Sequence, residues 1–182
     1  MAEKFSLYIS IQISHKGLLD FLDRAFVTPQ IDSSWQQWWD SRQMTNKAPL
    51  ELRQLGFKGS NKAFLDEWVQ DKYSLTKQRY DHELETWTFL SVFFTENYLE
   101  LLPFLGLFGH LASYQRPHET GFALVYDYYW NSNTVMAFVA FNKGLAHLFN
   151  FGATNEIQRH LLDEANLALG AAVEHFTNKK HN

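Results

Sequence analysis

No cysteine occurs among the 182 residues, which removes disulfides, thiolate nucleophiles, zinc–cysteine sites and iron–sulfur clusters together. Basic side chains are outnumbered, 16 Lys and Arg against 20 Asp and Glu, for a net charge of −4. No basic run exceeds Lys179-Lys180. A phosphate-binding surface needs clustered Lys and Arg, so nucleic-acid binding is not expected. Long apolar runs are missing as well. The most apolar segment, YLELLPFLGLFGHLASY (98–114), is too short to span a bilayer and contains Glu100 and Pro103. The N-terminus MAEKFSLYISIQIS has neither the unbroken apolar stretch nor the small-residue cleavage site of a signal peptide. Together these absences predict a cytoplasmic protein, and the lack of cysteine fits a reducing compartment.

Catalytic signatures are absent in the same way. There is no GxSxG, GxxxxGK[ST] or GxGxxG. HELE (82–85) is not HExxH, and none of the 8 histidines shows paired ligand spacing. Glu96 and Glu100 lie one helical turn apart, but two carboxylates without a partner acid or base define no chemistry. No catalytic residue, metal site or cofactor is assigned.

Aromatic residues are plentiful: 16 Phe, 8 Tyr and 6 Trp, 16% of the chain. Each buried ring removes roughly 150–250 Å² from water, which is ample for a large core. Phe5, Leu7, Ile9, Ile11 and Ile13 alternate with polar or small partners, as in a strand with one covered face. KGLLDFLDRAF (16–26) has helical spacing. From 33 to about 85 the pattern is helical and charged on one side, a helical insertion between the first and second strands. TWTFLSVFF (86–94) is apolar on both faces, as a central strand would be. Its alternation places Trp87, Phe89 and Phe93 on one side and Leu90, Val92 and Phe94 on the other. An apolar helix over 98–114 follows, bent or restarted at Pro103.

GFALVYDYYW (121–130), TVMAFVAF (134–141) and LAHLFNF (145–151) are separated by Asn131-Ser132-Asn133 and Asn142-Lys143-Gly144. Turns of this kind need positive φ, so the three segments predict an antiparallel meander. A last helix runs from a Thr154 cap to about Phe176. The expectation is one α+β domain over 1–182, with a mainly antiparallel sheet of about five strands flanked by helices.

Three groups of side chains carry the functional readings. In SSWQQWWDSRQ (33–43), Trp35, Trp38, Trp39 and Arg42 fall within an arc of roughly 100° on a helix. Such a face either packs on the sheet or anchors a partner, since Trp and Arg dominate interface energetics. Trp38 and Trp39 are about 100° apart, so at least one of the three rings is expected to remain accessible. Asp127 among tyrosines, and His147 in LAHLFNF, are the polar groups of a second reading, a small-molecule or enzyme pocket lined by aromatic residues.

The succession FSLYISIQI, LLDFLDRAF and IDSSWQQWWDSR resembles bacterial immunity proteins that neutralise secreted polymorphic toxins. Some of those are small α+β proteins opening with a strand, a helix and a Trp-containing segment. The likeness covers about the first 45 residues and rests on arrangement rather than a strict motif. It implies a cytoplasmic inhibitor that acts by binding a protein partner, a cognate toxin; that neither nucleic acid nor membrane is a partner follows from the charge balance and the short apolar runs. A structural or oligomerisation domain is a third reading.

Overall fold

In the computed structural model described here, residues 4–27, 33–44, 47, 49–50 and 57–179 are placed. The chain folds as β1 (Phe5–Gln12), α1 (His15–Asp23), α2 (Ser33–Ser41), α3 (Asn61–Gln70), β2 (Thr76–Asp81), β3 (Thr86–Thr95), α4 (Tyr98–Ala112), β4 (Thr120–Tyr126), β5 (Val135–Asn142), β6 (Leu145–Phe149) and α5 (Arg159–Lys179). The six strands form one antiparallel sheet in the order β2-β3-β1-β4-β5-β6. This is a single α+β domain ending in the expected meander. Among the described residues no helix is long and apolar enough to cross a membrane.

Strand alternation divides the core in two. Leu7, Ile9, Ile11, Trp87, Phe89 and Val125 join α1–α4 on the first face. Tyr8, Leu90, Val92, Phe122, Leu124 and Phe138 meet α5 on the second. The helices are anchored by ordinary caps: the side chains of Ser14, Ser60 and Asn97 accept main-chain N–H bonds at the starts of α1, α3 and α4. At Gly121 β1 and β4 come so close that an added Cβ would lie 2.5 Å from the Ser10 carbonyl oxygen.

Five elements differ from the sequence reading. α5 begins at Arg159 rather than behind a Thr154 cap, and Thr154–Glu156 form a separate 3-10 turn. β2, TKQRYD, lies inside the stretch expected to be helical. It is a polar edge strand held by its pairing with β3, and propensity cannot reveal pairing of that sort. α4 runs through Pro103 as one helix. The missing N–H forfeits only the bond to the carbonyl of Leu99, an exposed position in the first turn. β4 ends at Tyr126, so Asp127–Trp130 belong to a loop. Finally, pairing of β1 with β3 shifts between Phe5 and Leu7, whose partners are Thr95 and Ser91. That bulge breaks the alternation: Phe94 joins Trp87 and Phe89, while Phe93 turns to the α5 side with Leu90 and Val92.

Candidate functional site

The tryptophans of α2 are not an exposed anchor. Trp35, Trp38 and Trp39 are 9%, 0% and 4% exposed, which overturns the expectation of an accessible ring. The reason is that α2 has neighbours on two sides. It packs on β6, its Trp38 Nε1–H donates to the Met136 carbonyl of the neighbouring β5 (3.1 Å), and it also meets α4 through Tyr98. Trp38 and Trp39 lie 5.9 Å and 6.3 Å from the Tyr98 ring. A helix wedged between two surfaces buries a wider arc than a helix lying on one.

Arg42 is buried too, and its guanidinium is directed at main-chain carbonyls. Nη1 donates to Val135 O (2.9 Å) and Phe151 O (2.8 Å), Nη2 to Asn150 O (2.8 Å), and Nε to Ser41 Oγ (3.2 Å). Burial pushes its pKa down, and Tyr98 and Glu156 oppose that shift. An arginine nonetheless stays charged, and its planar fork of donors suits several carbonyls at once. Arg42 therefore ties the end of α2 to the start of β5 and the end of β6. Side chains so enclosed offer no area to a partner.

Asp127 and His147 do not share a pocket. Asp127 follows Tyr126, the partner of Val135, whereas His147 pairs with Ala140 on β5. Five residues of strand separate those levels, roughly 16 Å. His147 is exposed on the edge strand. Asp127 is buried, and both its oxygens are occupied: Oδ1 accepts from Trp130 N and Oδ2 from Ser132 N, each at 2.8 Å. Its own N–H donates to Thr134 O (2.9 Å). With Asn131 and Asn133 at φ 58° and 62°, the left-handed region asparagine tolerates, the carboxylate fixes the loop between β4 and β5.

What that loop displays went unnoticed in the sequence reading. Tyr129 and Trp130 are 49% and 43% exposed, with ring centroids 5.2 Å apart. Tyr129 also leans on Phe93, the residue the bulge turned outward, at 5.1 Å. The Phe93 N–H donates to Ser74 O, and the preceding Tyr73 is 83% exposed. The one signal available was the cluster DYYWNSN, a turn-rich stretch with bulky rings inside it.

A second feature is the cleft where α5 leaves the β2-β3-β1 half of the sheet partly open. It measures about 630 Å³, with Tyr8, Thr88, Leu90 and Ala172 as its floor and Lys77, Arg79 and His175 at its rim. A smaller hollow shares Arg79 and Thr88 and adds Ser10, Asp81 and Glu164. The buried Tyr8 hydroxyl donates to Glu164 Oε1 (2.8 Å). Desolvation, and after it the Glu164 charge, raise the Tyr8 pKa far above the ordinary phenol value. Both effects keep the phenol neutral, so it is a fixed donor rather than a base. Among the described residues no group of His, Asp or Glu is arranged to hold a metal ion.

Neither a family model, nor a curated protein, nor a solved structure matches this chain.

Proposed function

We propose that the chain is a protein-binding domain whose contact surface centres on Tyr129 and Trp130, supported at its base by Phe93. The observation that carries this reading is the combination of exposure with order. Two large rings stand in solvent on a loop whose backbone Asp127 holds through both carboxylate oxygens. Rigid aromatic residues that need little further ordering are the usual anchors of tight interfaces. An inhibitor of the immunity type, which neutralises a toxin by covering it, accords with this surface, with the absence of catalytic motifs and with the resemblance of the first 45 residues.

The test is co-expression with the product of the neighbouring gene. If that product arrests growth and this chain restores it, Trp130→Ala should weaken the complex by about 2 kcal/mol or more, roughly thirty-fold. Rescue that is indifferent to Trp130 and Tyr129 would remove the loop from the reading. A neighbour without toxicity would remove the immunity role.

The cleft under α5 favours a second reading, a small organic anion held between Lys77, Arg79 and His175 over the apolar floor. Ligand-detected NMR with aromatic carboxylates separates the two, because Lys77→Ala affects this reading and leaves the first untouched.

A further inference from the structure

We propose that β6 is a self-association edge, where two copies of the chain pair β6 with β6 antiparallel about a two-fold axis at His147. This surface is separate from the Tyr129–Trp130 loop and does not depend on the protein-binding reading.

The two edges of the sheet are finished differently. β2, TKQRYD, carries Lys77, Arg79 and Asp81, charges of the kind that discourage strand addition. β6, LAHLF, carries no Lys, Arg, Asp, Glu or Pro, and its register against β5 is unbroken. An edge without a charge, a proline or a bulge is a template for another strand.

The hairpin fixes which atoms face outward. Lys143 and Gly144 have φ 54° and 74°, the type I′ geometry of a two-residue turn. Asn142 and Leu145, which flank it, therefore form a hydrogen-bonded pair. Alternation then points the N–H and C=O groups of Ala146 and Leu148 away from β5. One antiparallel register satisfies all of these groups at once: Ala146 against Leu148 of the second copy, and Leu148 against its Ala146. Each such pair exchanges two N–H···O bonds.

The same register sets every side-chain neighbour. Leu145 (59% exposed) falls opposite Phe149 (38% exposed) of the second copy, and Ala146 falls opposite Leu148. His147 meets its own counterpart at the axis. No like-charged pair arises, although each copy carries a net charge of −4. This self-match is what selects a second copy as the occupant. A β2 edge in that place would set Lys77, Arg79 and Asp81 against an apolar strand. A contact made by one five-residue strand is small beside the roughly 800 Å² per partner of a standard interface, so the dimer belongs to the weak class.

Sedimentation equilibrium over about 5 μM to 1 mM, a range wide enough to reveal a weak dimer, tests it. The weight-average mass of the wild type should rise from 21.3 kDa toward twice that value. His147→Lys sets two ammonium groups directly opposite each other across the axis, and Leu145→Lys charges the flank. Both positions are exposed, so each variant should keep the wild-type melting temperature while remaining monomeric. Trp130→Ala and Lys77→Ala should follow the wild-type curve. A wild type that stays at 21.3 kDa throughout, or lysine variants that associate as well as it does, would overturn the proposal.

Discussion

Among the described residues one face of the sheet lies under four helices and the other under α5 alone, and the two carry different residues. On the first face Ile9, Ile11, Phe89, Phe104 and Trp38 are wholly enclosed, and among the polar groups that enter it Arg42 and the Trp38 indole N–H are matched to main-chain carbonyls. On the second, side chains from the sheet reach α5 through polar pairs: Tyr8 to Glu164 and Tyr126 to Asn166. That face also keeps the open cleft, the outward-turned Phe93 and the exposed row Leu145, His147, Phe149. The difference teaches where stability and where recognition reside. The first face is closed and excludes water, and the second is half-covered and leaves surface free for a partner.

The sharpest way to break this comparison is to hollow the first face. Trp38→Ala removes an enclosed indole and leaves the Met136 carbonyl with only the longer Arg42 Nη1 bond (3.4 Å) among its side-chain donors. The expected cost is roughly 3–5 kcal/mol, the range for Phe or Trp to Ala in a core, measured by urea denaturation. A loss under about 1 kcal/mol would mean that α2 contributes little and that the first face is looser than its burial implies.

On the second face the expected effect is smaller and depends on pH. Tyr8→Phe deletes one hydrogen bond to a carboxylate that can still be hydrated from the cleft, so the cost near neutrality is about 1 kcal/mol. The folded-state pKa of Tyr8 is raised from 10.0. The native state therefore favours the neutral phenol, and this contribution is fully present below about pH 10. It is lost progressively as pH rises from there toward the folded value. Tyr126 is raised for the same first reason, burial. Wild-type stability should fall above about pH 10, and Tyr8→Phe should fall less steeply. Parallel profiles would show that Tyr8 ionises as freely in the folded protein as in the unfolded chain.

How much of this was legible in the sequence depends on the scale of the interaction. β1, β3, the meander and α5 declare themselves through local period and turn chemistry, and Gly144 takes its positive φ where the Asn142-Lys143-Gly144 turn required it. β2 does not, because TKQRYD has no apolar period and becomes a strand only through its partner β3. The candidate surface was hidden for similar reasons. Whether the α2 tryptophans are core depends on α4 and β6 closing around them, a tertiary fact. Whether Phe93 faces α5 depends on a bulge set by the pairing of β1 with β3. Asp127 is a polar group of the pocket reading, and a carboxylate that is buried must find hydrogen-bond partners. Its partners are the N–H groups of Trp130 and Ser132, so its role is to hold the loop rather than to act in a pocket.

The smallest expected effect on stability belongs to the residue that matters most for the proposed function. Trp130 keeps 43% of its surface in water, and its ring contact is with Tyr129, itself 49% exposed. Truncation to alanine removes little buried area and leaves the Asp127 bond intact, because that bond uses the Trp130 main-chain N–H. Trp130→Ala should therefore shift stability by no more than about 0.5 kcal/mol, as surface substitutions do. Asp127→Ala provides the contrast. It orphans two main-chain donors at 2.8 Å and should both destabilise the protein, by about 1–3 kcal/mol, and loosen the loop. Hydrogen exchange at Trp130 and Ser132 reads this directly: protection should survive Trp130→Ala and vanish in Asp127→Ala. If the tryptophan itself proves necessary for that protection, the ring is part of the fold, and the loop is a closed corner of the core rather than a surface held open for a partner.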